Sequence, residues 1–317
     1  MDSGHVFEAK WTKLPELRIG EKTARLPIVQ GGMGVCLSLA NLAAAVAAEG
    51  GVGVIAATGI GMLEDDYYDN PVEANLRALR SEIRKARRKT DGLLGVNIMV
   101  AADCFHSMLQ VAVEEKIDIL FLGAGLPIKG IPVPAIRRNG VSVAPIVSSG
   151  RAARLIFKSW EKLYRDIPDA VVLEGPLAGG HLGFKPEQID NPAFRLERIL
   201  PDVVEAVREF ETRWGREVPV IAAGGVFTGE DIHRLLRLGA KGVQLGTRFI
   251  ATRECDADIR FKQAYIACTK EDIVIIQSPV GLPGRAIRSR FLDDIAGGAT
   301  KHFRCPSHCL ESCGANK

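Results

Sequence analysis

The sequence predicts one α/β domain built as a closed (β/α)8 barrel with a C-terminal extension, and three observations lead there. Eight short apolar runs alternate with longer amphipathic stretches. The runs are apolar throughout instead of alternating, and the pattern fits into 317 residues with no internal repeat and no Ser/Gly linker. Strands buried on both faces belong to parallel sheets covered by helices. Barrels of this kind take roughly 250 residues plus insertions. An open doubly wound sheet of eight strands would leave edges to cover, so closure is the economical arrangement.

The strand candidates are 27–30, 52–56, 94–99, 117–122, 142–146, 170–173, 218–222 and 242–245. Helical periodicity marks 38–49, 71–89, 105–115, 149–164, 198–213 and 229–238, and 133–139 is a short helix candidate. Each strand is thus followed by a crossover, which implies parallel pairing. Two connections are long, 58–70 and 182–196, and both follow strand ends, on the face where barrel active sites form. After Glu254 the chain reads as a final helix, a loop and a tail. Residues 1–300 are expected to form the single TIM-barrel domain and 301–317 a cysteine-containing tail.

Bulk composition narrows the function. Aromatics are 6% of the chain, while glycine occurs 33 times, which suits tight βα turns better than a base-stacking surface. The 41 basic and 38 acidic residues nearly cancel, to +3. The densest basic run, Arg84-Lys85-Ala86-Arg87-Arg88-Lys89, ends a helix, where cations complement the helix dipole. Nucleic acid is therefore not an expected partner. No apolar run reaches the length of a membrane span, and no charged-then-apolar leader is seen, so a membrane is not expected either. Seven cysteines is an odd count, and Cys36, Cys104, Cys255 and Cys268 are scattered through core-like segments. That usage fits a reducing cytoplasm.

Three stretches carry chemistry. Gly224-Gly225 and Gly246-Thr247 follow the seventh and eighth strands, where barrels frequently bind phosphate. Glycine lets backbone amides approach an anion closely, and Thr247 adds a hydroxyl; each turn alone also reads as a plain tight turn. Glu174-Gly175-Pro176-Leu177-Ala178-Gly179-Gly180-His181 follows the sixth strand, and its small residues leave space beside an imidazole. His181 can exchange a proton near neutral pH or hold positive charge against a developing anion, although a lone histidine is also compatible with a structural role. Gln30-Gly31-Gly32-Met33-Gly34, at the end of the first strand, gives a flat ring close access to backbone and a polarizable Met33 surface.

Together, 27–34, Gly95-Val96-Asn97, 178–183, 222–225 and 246–249 resemble the nitronate monooxygenases (2-nitropropane dioxygenases). The flavin-dependent enoyl-acyl-carrier-protein reductases share that superfamily. The matching pieces run in order from the first strand to the last, and the AGGHLG and GTRF stretches are the most specific. The resemblance implies an FMN-binding barrel with no metal. By position, Gly32, Met33 and Asn97 would face the flavin ring and its ribityl neighbourhood, while Glu174, Gly179 and Gly180 would line it. Gly224, Gly225, Gly246 and Thr247 would hold the phosphate, and His181 would be catalytic. Two departures stand out. Some relatives have a lysine near the end of the fifth strand, where this chain has Ala144-Pro145-Ile146-Val147. The stretch 278–285 would form a loop over the ring, with Arg285 either meeting an anionic substrate or standing solvated.

The activity this implies is oxidation of alkyl nitronates or nitroalkanes with O2, on a small-molecule substrate, with a homodimer expected. The alternative is an NAD(P)H-dependent FMN enoyl-acyl-carrier-protein reductase, for which Arg137-Arg138, Arg151 and Arg154 would form a basic rim. A non-catalytic barrel that binds a phosphorylated metabolite, or a sugar-phosphate enzyme, would share the cradle without the flavin. Cys305, Cys309 and Cys313 are spaced like no familiar zinc site and are expected to be reduced thiols, with metal binding left open.

Overall fold

The computed structural model describes residues 14–278 and 281–299; the tail 301–317, with Cys305, Cys309 and Cys313, lies outside the described residues. The described residues open on a two-stranded antiparallel hairpin, β1 (Leu17–Ile19) and β2 (Lys22–Ala24). Then follow β3 (Ile28–Gln30), α1 (Ala40–Ala48), β4 (Gly53–Ala56), α2 (Pro71–Arg87), β5 (Leu94–Met99) and α3 (Phe105–Glu114). The middle is β6 (Ile119–Gly123), α4 (Val133–Arg138), β7 (Ser142–Val147), α5 (Gly150–Tyr164) and β8 (Val171–Glu174). After β8 come the two-residue β9 (Gly180–His181), α6 (Pro186–Ile189), α7 (Leu196–Trp214), β10 (Val220–Ala223), α8 (Gly229–Arg237) and β11 (Gly242–Leu245). The chain continues through α9 (Thr247–Ile250), α10 (Ile259–Ala267), β12 (Ile273–Gln277), β13 (Pro283–Ile287) and α11 (Arg290–Ala296).

Eight parallel strands in the order β3-β11-β10-β8-β7-β6-β5-β4 form the barrel. Closure between the first and last members is thin. The amide of Gln30 donates to Val52 O at 2.9 Å, and that of Val52 to Ile28 O at 2.9 Å. Gln30 extends this seam with its side chain, whose Oε1 accepts the Val54 amide at 2.9 Å. A fully buried glutamine thus replaces ladder bonds that the short first strand does not make.

The strand residues sort by parity. Val29, Val54, Phe121, Ala144, Val172, Ile221 and Ala223 fill the barrel interior, while Ile55, Val96, Leu120, Val143, Leu173, Ala222 and Val243 face the helices. The hairpin β1–β2 plugs the end where the strands begin: Leu17 and Ile19 are 0% and 1% exposed and join the interior cluster. A Cβ on Gly242 would stand 3.0 Å from Leu17, so that wall position has to be small. Below the barrel, Arg137 Nη1 reaches Asp169 at 2.5 Å and its Nε reaches Asp166 at 2.7 Å, while Arg216 pairs with both carboxylates at 3.5 and 3.1 Å.

Two sequence expectations are corrected here. The segment after Glu254 is not simply a helix, a loop and a tail, because β12 and β13 form an antiparallel hairpin that pairs with β9. The β-branched run Ile273-Val274-Ile275-Ile276 drives that hairpin. Arg137 and Arg138 close α4, which runs antiparallel to the strands, so they lie at the plugged end and form no rim around the mouth. No helix among the described residues is long and apolar enough to cross a membrane.

Candidate active site

At the open end, where the strands finish, parity turns Asn97, Glu174 and Gln244 inward as a polar layer above the apolar interior. Two groups of residues ring this layer. The first is built on the turn after β3. Gln30 Nε2 donates to Gly31 O at 2.6 Å and to Ser38 Oγ at 3.0 Å, and Ser38 Oγ accepts the Met33 amide at 3.0 Å. The Gly31 amide donates to Leu245 O at 2.8 Å, which ties this turn to the eighth barrel strand. Gly32 lies so close to Asn97 that an added Cβ would stand 2.5 Å from the Asn97 Cβ. Met33 Sδ lies 3.6 Å from where a Cβ of Gly246 would be. Gly32, Met33, Asn97 and Gly246 are therefore neighbours. Gln30 and Ser38, which fix the turn, carried no sequence signal beyond polarity inside an apolar segment.

The second group surrounds the sixth connection. Glu174 is in register with Ala223, and the Gly175 amide donates to Ala223 O at 2.8 Å. Gly224 and Gly225 follow with φ of +92° and +81°, a conformation that side-chain-bearing residues rarely adopt. A Cβ on Gly224 would meet Ala178 N at 2.9 Å and Gly175 O at 3.0 Å, and one on Gly225 would meet the Leu177 side chain at 2.9 Å. Besides the anion approach expected of them, these glycines let the sixth connection lie across the seventh. At Gly179 and Gly180, by contrast, nothing stands within 4 Å of an added Cβ. The two small residues before His181 leave open space beside it.

Arg248 joins the groups. Its Nε donates to Phe227 O at 2.9 Å, and its guanidinium lies 4.0 Å from the Phe227 ring centre. A cation thereby stands next to Thr247. The amides of Gly224, Gly225, Gly246 and Thr247 donate to no other described residue. Such a set of donors suits an anion.

The titratable groups are tuned by burial. Glu174 keeps partial solvent access by area, yet desolvation of its carboxyl pushes its pKa up to about 7. His181 is exposed by area, and partial desolvation still draws its pKa below the usual 6.5. At neutral pH the imidazole is therefore neutral and can accept a proton. Arg285, expected on a loop, lies in β13 instead. Its Nη1 donates to Pro176 O at 2.5 Å and to Ala178 O at 2.8 Å. A cavity of about 620 Å³ lies at the plugged end beside α7 and takes no part in this site.

Comparison with known proteins places these residues in a family. The solved structure of FabK from Thermotoga maritima superposes with a TM-score of 0.67 at 31% identity, covering 86% of this chain and 74% of that one. Nitroalkane oxidase from Streptomyces ansochromogenes superposes with a TM-score of 0.68 at 25% identity, covering 90% and 83%. The (3aS,4S,5R,7aS)-5-hydroxy-7a-methyl-1-oxo-octahydro-1H-indene-4-carboxyl-CoA dehydrogenase of Mycobacterium tuberculosis is 27% identical over 273 residues, 86% of this chain. The chain spans 66% of that dehydrogenase and 64% of its Rhodococcus jostii counterpart. The model of the nitronate monooxygenase family matches residues 17–312. Barrel, glycine turns and His181 connection all fall inside that match, so the chain belongs to the nitronate monooxygenase family.

Proposed function

We propose that this enzyme uses FMN to oxidise alkyl nitronates or nitroalkanes with O2, with His181 as its acid–base residue. One observation carries the reading. A single barrel mouth brings together amides without partners among the described residues, at the ends of β10 and β11, and a partly desolvated imidazole on the connection after β8. Bound FMN would supply the redox chemistry between substrate and O2.

The residues fit such a group. The amides of Gly224, Gly225, Gly246 and Thr247 would hold its phosphate, with the Thr247 hydroxyl and the Arg248 cation as further donors. Gly32, Met33 and Asn97 on one side, and Glu174, Gly179 and Gly180 on the other, would flank its ring. His181, neutral at pH 7, would take the α-proton of a nitroalkane, or donate one hydrogen bond to a nitronate oxygen. Near its pKa, Glu174 is split between acid and carboxylate, so its acid form can donate a hydrogen bond at the mouth.

The test is a spectrum. Purified protein mixed without oxygen with a nitronate should lose its flavin absorbance, while NADH and NADPH leave it unchanged. Colourless protein whose heated supernatant lacks FMN fluorescence would refute the reading. A second reading, oxidoreduction of an acyl thioester, draws on the CoA-dehydrogenase names of the mycobacterial and rhodococcal relatives. Rapid bleaching by NADPH or NADH would favour it. Of the basic rim suggested for a carrier protein, only Arg151 and Arg154 lie at the mouth end of their helix.

A further inference from the structure

We propose that Arg285 is a positioning residue that clamps the connection carrying His181 and sets where the imidazole stands over the mouth. The proposal deepens the function given to His181 above and rests on it.

The connection from Gly175 to His181 is poorly held by its own sequence. It contains three glycines, and Gly180 has a φ of +71°. Leu177, Gly179, Gly180 and His181 are exposed, and neither Gly179 nor Gly180 touches anything where a side chain would be. Ala178 and Leu182 are buried in a small cluster with Phe184 and Ile189 and anchor the two flanks of His181, but not the residues between them. Within the connection, the Ala178 amide donates to Gly175 O at 3.1 Å. Ordering a glycine-rich segment costs more backbone entropy than any other, so an outside agent has to hold it.

The agent is β13, which arrives from more than a hundred residues downstream. Gly284 is in register with His181 and Arg285 with Gly180, and the Leu182 amide donates to Pro283 O at 2.9 Å. A Cβ added at Gly284 would make ordinary contacts, with Ile276 at 3.4 Å and Gly180 O at 3.6 Å, so the strand lies close against the connection without strain. Backbone pairing fixes only the end of the connection. The Arg285 side chain reaches past it, to Pro176 O at 2.5 Å and Ala178 O at 2.8 Å, and so grips the entrance as well. One residue thus holds both ends: its backbone lies beside Gly180, and its guanidinium spans the carbonyls before Gly179. Bonds from a charged donor to carbonyls in a partly desolvated place are the strong kind.

The experiment uses the full-length holoenzyme and three proteins: wild type, Arg285→Ala and Arg285→Lys. Amide hydrogen exchange of residues 175–182 should speed up about tenfold or more in Arg285→Ala, each lost charged bond being worth roughly a factor of ten. Exchange in β8 and β10 should stay the same. With a nitronate as substrate, kcat should fall about ten- to hundred-fold, with KM and flavin content little changed. The acid limb of the pH profile should move up toward 6.5 as the ring is released to water. Arg285→Lys, which keeps one charged donor, should give intermediate exchange and turnover.

Unchanged exchange at 175–182 would overturn the proposal. So would faster exchange spread over the whole barrel with normal turnover per flavin, since Arg285 would then only stabilise. Should Arg285→Ala fail to fold, wild-type exchange and kcat in Arg285→Lys would be just as decisive against it. The exchange readout needs no substrate, so a failed nitronate assay beside accelerated local exchange would count against the proposed reaction and not against the clamp.

Discussion

The two ends of this barrel are built on opposite rules. At the plugged end, apolar side chains of the β1–β2 hairpin fill the interior, and Arg137, Arg216, Asp166 and Asp169 form a network of ion pairs around the chain segments below. At the open end, backbone carries the structure: glycine turns, amides without partners among the described residues, and a connection strapped down by another strand. Free energy spent on completing hydrogen bonds at one end is withheld at the other, where a ligand can complete them. Damage at the plugged end should therefore reduce stability and spare turnover of the molecules that remain folded. Damage at the open end should do the reverse.

The most severe break is in the wall between the two ends. A Cβ on Gly53 would stand 1.8 Å from Ala43 O, so Gly53→Ala should yield no soluble folded barrel, as read by expression and circular dichroism. At the plugged end, Asp169 is 4% exposed and also accepts the Val143 amide at 2.7 Å. Asp169→Ala would leave two guanidinium groups short of a partner and should cost about 3–5 kcal/mol in denaturant unfolding, with kcat per bound flavin unchanged. At the open end, His181→Ala should lower kcat/KM for a nitroalkane by roughly 10²–10⁴ while the unfolding midpoint stays put. In the wild type, activity on a nitroalkane should rise with pH through a limb below 6.5, because the base must be unprotonated and its pKa is drawn down.

A subtler contrast comes from Glu174. Its folded pKa, about 7, stands above the ordinary 4.5, so the folded state holds that proton more tightly than the unfolded one. The stabilisation it gives is complete below pH 4.5 and is lost as pH rises through about 7, up to about 3 kcal/mol in all. Glu174→Gln should remove that decline from the curve of unfolding free energy against pH. The smallest effect is expected at Gly246. The nearest atom to an added Cβ there is Met33 Sδ at 3.6 Å, an ordinary contact, so Gly246→Ala should cost under about 1 kcal/mol of stability. Its mark should be weaker FMN retention on dilution.

Much of the barrel was legible in the sequence. All eight wall strands lie within two residues of the apolar runs that predict them, because burial on both faces leaves an unmistakable composition. The hairpins were not legible in the same way. Leu17-Arg18-Ile19 is too short to establish alternation, and its role as a plug depends on which barrel it enters. The run Ile273-Val274-Ile275-Ile276 carries a strand signal of its own in its β-branched residues, although the segment after Glu254 reads as a helix, a loop and a tail. At the mouth, the glycines, His181 and Glu174 could be located because position after a strand end is a sequence property. What joins them could not. The bond from the Val54 amide to Gln30 and the reach of Arg285 to Pro176 link residues far apart in sequence, and the shared burial that sets the pKa of Glu174 exists only once the walls meet. Arg137 shows the converse, a charge that sequence alone left free to face either end.

The pairing of β13 with β9 also sets an order of events at the ribosome. The last wall strand ends at Leu245, yet the partner of the His181 segment is translated only with Pro283–Ile287, about forty residues later. All eight wall strands are therefore made before the segment bearing the imidazole has its partner strand. The wall and the strap across the mouth are thus encoded in separate stretches of the chain, and the strap is made last.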